Sequence, residues 1–216
     1  MKRALSFLIF TSLIVMMNCS KGKKNGAELM NDGGLYLYAG HYDKAIECFE
    51  EAINYFKKVE NDPKMVGAAY ANLGTVYCEK KDYNRALECC EEALKYGGDT
   101  VCAAAFLTMG AAYGEQGYFD KEIEYYHKVI NIDPNDETAY YNMGRAYFSK
   151  GDYDKAIEFY NKAIEIDPDY MDAYYFLSEV HHRKGEKEKE IEYLKRAAQL
   201  GHKKAQEKLS DYGLSW

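Results

Sequence analysis

Proline is scarce in this chain, 3 in 216 residues, and there is no surplus of positive charge, since 28 Lys and Arg stand against 35 Asp and Glu. Few prolines leave long helices uninterrupted, and charges interspersed among apolar residues point to an all-helical chain. A formal net charge of -7 and a pI near 5.4 exclude the basic face that phosphate contacts require, so a nucleic-acid partner is excluded. Disorder is excluded in turn by 47% hydrophobic residues. The 5 histidines are His41, His127, His181, His182 and His202, and none has a second histidine four residues away, so the zinc-protease pattern is missing. No Gly-rich phosphate loop follows a strand; Gly33-Gly34 falls inside a helical segment. These absences leave no catalytic or metal site, no cofactor and no small-molecule substrate to predict. An enzyme would need a site hidden in a groove, with Glu79, Glu115 or Glu179 as its acid.

The apolar stretch near the start, Ala4 to Met17, is uncharged over 14 residues. As a helix it rises about 21 Å, short of the roughly 30 Å hydrocarbon core. Lys2 and Arg3 before it complete the layout of a secretory signal over residues 1–18. Val15-Met16-Met17-Asn18-Cys19 resembles a bacterial lipobox, with Asn18 in place of the usual small residue and Met16 in place of Leu. The resemblance implies that Cys19 is lipidated and anchors the chain to the bacterial cell envelope, facing the periplasm or exterior. Residues 19–25 would then be a tether, and its Lys21, Lys23 and Lys24 could meet anionic headgroups. Loss of Lys2 and Arg3 takes the net charge from -7 to -9. Two alternatives stand beside this: an ordinary signal cut after Ser20 or Gly22, and a soluble cytoplasmic chain that keeps its N-terminus. Five cysteines remain without Cys19, namely Cys48, Cys78, Cys89, Cys90 and Cys102, and an odd number cannot pair fully. They read as small buried hydrophobes, a usage that suits a reducing compartment slightly better.

The rest of the chain repeats. Gly110, Gly144 and Ser178 are 34 apart, as are Pro134 and Pro168, each within Ile-Asp-Pro. Carrying the register backwards, with insertions at 60–66 and 101–102, gives repeats at 26–59, 67–100, 103–136, 137–170 and 171–204. In the fourth repeat, positions 4, 7, 8, 11, 20, 24, 27 and 32 read Tyr140, Met143, Gly144, Tyr147, Ala156, Tyr160, Ala163 and Pro168. That series resembles the tetratricopeptide repeat (TPR) family. The resemblance implies an all-α, right-handed α-solenoid of five helix pairs, A and B, with residues 205–216 as a capping helix and tail.

The residue types support this without the family name. Gly and Ala at positions 8, 20 and 27 let two helices approach, and aromatics at 4, 11 and 24 fill the gaps between neighbours. Gly40, Gly117, Gly151 and Gly185 stand where helix A ends and a left-handed cap favours glycine. Gly33-Gly34 weakens the first repeat by about 1 kcal/mol per glycine relative to Ala. Glu122 and Glu190 occupy position 20, where a small residue belongs; their stems are expected to pack while their carboxylates reach water.

By the same resemblance, positions 2, 5, 6, 9, 12 and 13 of the A helices line a concave groove that takes a protein or extended peptide segment. Position 6 reads Asn31, Asn72, Thr108, Asn142 and Phe176, a broken ladder of amides suited to a peptide backbone. Tyr141, Arg145, Phe148, Tyr175 and Arg183 are candidate anchors, because aromatic and Arg side chains concentrate at interface hot spots. The carboxylate clamp of chaperone-binding members is missing except for Arg145. From His181 to Lys208, 9 Lys and Arg against 5 Glu give +4, a cap that is solvated or docks an acidic partner. The expected function is a non-enzymatic interaction scaffold, of the kind that serves assembly of envelope complexes. The alternative is a soluble cytoplasmic adaptor.

Overall fold

A computed structural model describes residues 24–216; the expected signal, the lipobox-like run and Cys19 lie outside them. The described residues form helices throughout: α1 (Gly26–Tyr38), α2 (Tyr42–Tyr55), a π-helical turn (Phe56–Glu60), α3 (Pro63–Glu79), α4 (Tyr83–Tyr96), α5 (Asp99–Glu115), α6 (Phe119–Ile132), α7 (Glu137–Lys150), α8 (Tyr153–Ile166), α9 (Met171–Lys184), α10 (Lys187–Gln199) and α11 (Lys203–Asp211). Consecutive helices pair as α1/α2, α3/α4, α5/α6, α7/α8 and α9/α10, each pair packs on the next, and α11 closes the end. This is the expected all-α solenoid. The insertions at 60–66 and 101–102 lie where α3 and α5 start early, which makes each of them 17 residues long.

Local chemistry sets the helix ends. Asn25 and Glu28 form a reciprocal box, with the Glu28 amide donating to Asn25 Oδ1 at 2.9 Å and the Asn25 amide to Glu28 Oε2 at 3.1 Å. Asp62, Asp82, Asp136 and Asp152 cap α3, α4, α7 and α8 through the same side-chain acceptor. At the ends of four A helices, Gly40, Gly117, Gly151 and Gly185 take φ of 73°, 80°, 81° and 74°; the second repeat has Lys81 in that slot at φ 62°.

Position 8 decides how close a helix pair can come. A Cβ on Gly144 would lie 2.6 Å from the Tyr160 ring, one on Gly110 2.6 Å from Tyr126, and one on Gly33 2.7 Å from Phe49. The large residue at position 24 therefore crosses the space that a side chain at position 8 would fill.

Between repeats the contact is also regular. Aliphatics at positions 21 and 28 of each B helix meet aromatics of the following pair, as Ile46 and Ile53 meet Tyr70 and Tyr77, and Ile123 and Ile130 meet Tyr147 and Phe159. Over each position-11 tyrosine lies the cation from position 19: Lys44 at 5.3 Å from Tyr36, Arg85 at 5.5 Å from Tyr77, Lys121 at 4.6 Å from Tyr113 and Lys155 at 5.0 Å from Tyr147. In the fifth repeat His181 takes this place, buried, stacked on Tyr193 at 5.2 Å and bonded to Glu186 at 2.9 Å.

The last repeat finishes differently from the sequence expectation. Glu190 is 1% exposed and its carboxylate does not reach water. It accepts from the Tyr212 hydroxyl at 2.8 Å and pairs with Lys187 at 3.1 Å, His182 at 3.2 Å and Lys208 at 3.2 Å. Burial opposes its charge, but the bonds from Tyr212, His182, Lys187 and Lys208 prevail and hold the carboxyl at about 2. Position 20 admits glutamate here because the cap brings donors to it. Ala205 and Leu209 of α11, with Tyr212 and Leu214, then close over the fifth repeat.

Candidate functional site

Along the A helices α1, α3, α5, α7 and α9, position 9 of one meets position 6 of the next at two junctions. Between the second and third repeats the Thr75 and Thr108 hydroxyls are 3.1 Å apart, and each also bonds a carbonyl one turn back, Ala71 and Ala104. Thr108 is buried, so its hydroxyl is already engaged and does not continue the amide ladder. Between the fourth and fifth repeats the Arg145 guanidinium lies 6.0 Å from the Phe176 ring and 6.0 Å from Tyr141.

The amides that remain are available. Asn31 is exposed and Asn72 and Asn142 are half-buried, and the side chains of Asn72 and Asn142 make no hydrogen bond among the described residues. Each can offer two donors and an acceptor to a backbone laid along the helices.

Beside Asn142 the aromatic anchors converge. Tyr141 lies 5.2 Å from Tyr170, 5.7 Å from Phe176 and 6.0 Å from Tyr160, and Phe148 lies 6.3 Å from Phe176. Burial, with Arg145 acting against it, raises the Tyr141 phenol, so it stays a neutral hydroxyl. Tyr175 sits at the edge of the cluster: its ring lies 5.6 Å from Phe176, and it stacks on His202 of the cap at 4.3 Å, which covers one of its faces. Arg183 is exposed on α9 and outside this cluster.

Tyr170 and Tyr160, which the sequence did not mark as anchors, join Phe176 in the cluster, and Glu122 of α6 feels the charge of its Arg145. Tyr170 lies in the turn before α9, where no helical face could be assigned to it. The Tyr160 hydroxyl is the buried side-chain polar atom without a hydrogen-bond partner among the described residues. Glu122 is 9% exposed, its carboxyl packed against Gly114 instead of reaching water. Burial pushes that carboxyl up to about 7, against the pull of Arg145 and a bond from Tyr126. A glutamate fits position 20 here because Gly114 vacates the facing site on α5.

Three of the thiols are weak nucleophiles at neutral pH. Burial pushes Cys78 up to about 11, and Cys89 and Cys90 up to about 12, so thiolate is scarce at neutral pH. Among the described residues there is no group of His, Cys, Asp and Glu that could hold a metal.

Family models described as TPR repeat and tetratricopeptide repeat match residues 31–58, 67–99, 103–136, 125–158, 144–185 and 172–200. The chain is a tetratricopeptide repeat protein. Solved TPR structures share its course. A crystal structure of MamA is 27% identical, with 81% of this chain and 96% of that one covered at a TM-score of 0.61. MamA from residue 41 to its end, from Desulfovibrio magneticus RS-1, is 23% identical, with 84% and 97% covered and a TM-score of 0.63. YrrB, a TPR protein with an unusual peptide-binding site, is 22% identical, with 80% and 84% covered and a TM-score of 0.55. No curated protein matches the chain.

Proposed function

We propose that this TPR protein is a non-enzymatic scaffold whose groove holds an extended segment of a partner protein, with the lipid on Cys19 tethering it to the bacterial envelope. The observation that carries the groove reading is the free Asn72 and Asn142 amides on one helical face, next to the Tyr141, Arg145 and Phe176 cluster. A backbone bonded to the amides would run its side chains onto those aromatic rings. The peptide-binding site of YrrB is consistent with such use of the fold. The anchoring part rests on the lipobox-like run ending at Cys19. The free thiols Cys48, Cys78, Cys89, Cys90 and Cys102 favour a second reading, a soluble adaptor in a reducing compartment.

One experiment addresses both parts. The tagged chain, crosslinked and recovered from the membrane fraction of its host, is compared by quantitative mass spectrometry with Asn72→Ala/Asn142→Ala. The expected result is a partner enriched with the parent and reduced about tenfold with the variant, at unchanged helical content. Equal enrichment would remove the amides from recognition. In the same digest, an acylated N-terminus at Cys19 supports the envelope reading, whereas an intact Met1 in the soluble fraction supports the adaptor.

A further inference from the structure

Every repeat of the array has two stacking faces. The forward face carries positions 21 and 28 of its B helix, and the rear face carries positions 4, 11 and 23. At the junctions between repeats forward meets rear, as described for Ile46 and Ile123. The forward face of the fifth repeat, Ile191 and Ala198, lies under Leu209, Tyr212 and Leu214 of the cap. The rear face of the first repeat has no such cover among the described residues. Leu29, Tyr36, Cys48 and Tyr55 line an open hollow of about 890 Å³ there, and Val59 on its rim is 65% exposed.

We propose that this rear face is where a second copy of the chain docks, back to back about a two-fold axis. Of the charges around the hollow, which also include Lys24, Glu47 and Lys58, one pair is self-complementary. Lys44 and Glu51 both line it from α2, seven residues and about two turns apart, and both are exposed. Two α2 helices crossing antiparallel set Lys44 of each copy against Glu51 of the other. In the same arrangement the half-buried Cys48 of each copy lies near the axis. The two apolar hollows close on each other, with the same patch used on both sides. The opposite end of the array is covered by its cap, so a rear-to-forward contact that would extend into a filament is blocked and the assembly stops at two. The interface does not involve the groove, so the two proposals fail separately.

The test uses the chain as isolated from its host, in mild detergent where it is membrane-bound, at micromolar concentration. Sedimentation should give twice the chain mass, and a short bismaleimide should crosslink the dimer unless Cys48→Ser is present. Lys44→Glu and Glu51→Lys should each weaken association about tenfold or more, and the double reversal should restore it. Circular dichroism checks that each variant is folded. A monomeric parent overturns the proposal, as does a dimer indifferent to both single reversals or a double reversal that stays monomeric.

Discussion

Gly33 and Gly34 are adjacent in α1 and do opposite things. In the sequence both read as the same liability, because helix propensity sees only a missing side chain. The structure separates them: a Cβ on Gly33 would sit 2.7 Å from the Phe49 ring, whereas one on Gly34 meets nothing within 4 Å. Gly34→Ala should therefore stabilise the fold by about 1 kcal/mol, and Gly33→Ala should destabilise it by about 1–3 kcal/mol through overpacking. Thermal unfolding followed by circular dichroism would show the two midpoints moving in opposite directions; a common direction would refute the assignment. Glu122 belongs at this scale as well. Its folded value of about 7 lies above the ordinary 4.5, so the fold favours the protonated form. That contribution is fully present below about pH 4.5 and is lost as pH rises through about 7. Glu122→Gln removes the titration, so at pH 8 the variant should be the more stable by up to about 3 kcal/mol, with little difference at pH 5. Parallel stability curves for the two proteins from pH 5 to 8 would show that Glu122 does not titrate in this range.

At the scale of elements, what could be read in the sequence was what a single helix determines. Faces and glycine caps follow from local spacing, so the αL glycines Gly40, Gly117, Gly151 and Gly185 appear where expected. Contacts that join separate elements were not legible. Thr108 lost its place in the ladder to Thr75, 33 residues earlier, and one face of Tyr175 is covered by His202 of the cap. Glu190 is the clearest case, since its partners Lys208 and Tyr212 come from beyond the repeat. Its folded value near 2 lies below the ordinary 4.5, so this carboxylate adds stability above about pH 4.5 that fades as pH falls towards 2. Glu190→Ala removes the carboxylate shared by Tyr212, Lys187, His182 and Lys208, leaving Lys208 with Glu179 alone, and should cost about 1–3 kcal/mol. Hydrogen exchange should show the loss as faster exchange in α11 and the end of α10, with α1 to α6 unaltered. An α11 that stays as protected as in the parent would mean that apolar packing alone holds the cap.

At the scale of the whole molecule the architecture was legible because the same physical problem is solved five times. Each repeat must cover one face with its neighbour, so a preference too weak to interpret once becomes clear on repetition. The small residues at positions 8, 20 and 27 and the aromatics at 4, 11 and 24 are of this kind, whereas the cations at position 19 emerged only from the structure. The ends break the repetition, and there the sequence is least informative: nothing in positions 4, 11 and 23 marks the first rear face as one that will stay open. The cap has a consequence for descent. Because α11 is bonded to Glu190 and seated on Ile191, a duplicated segment appended after it would find no surface on which to stack. A further unit that stacks on the array has to enter upstream of α11, which travels with the fifth repeat as one piece.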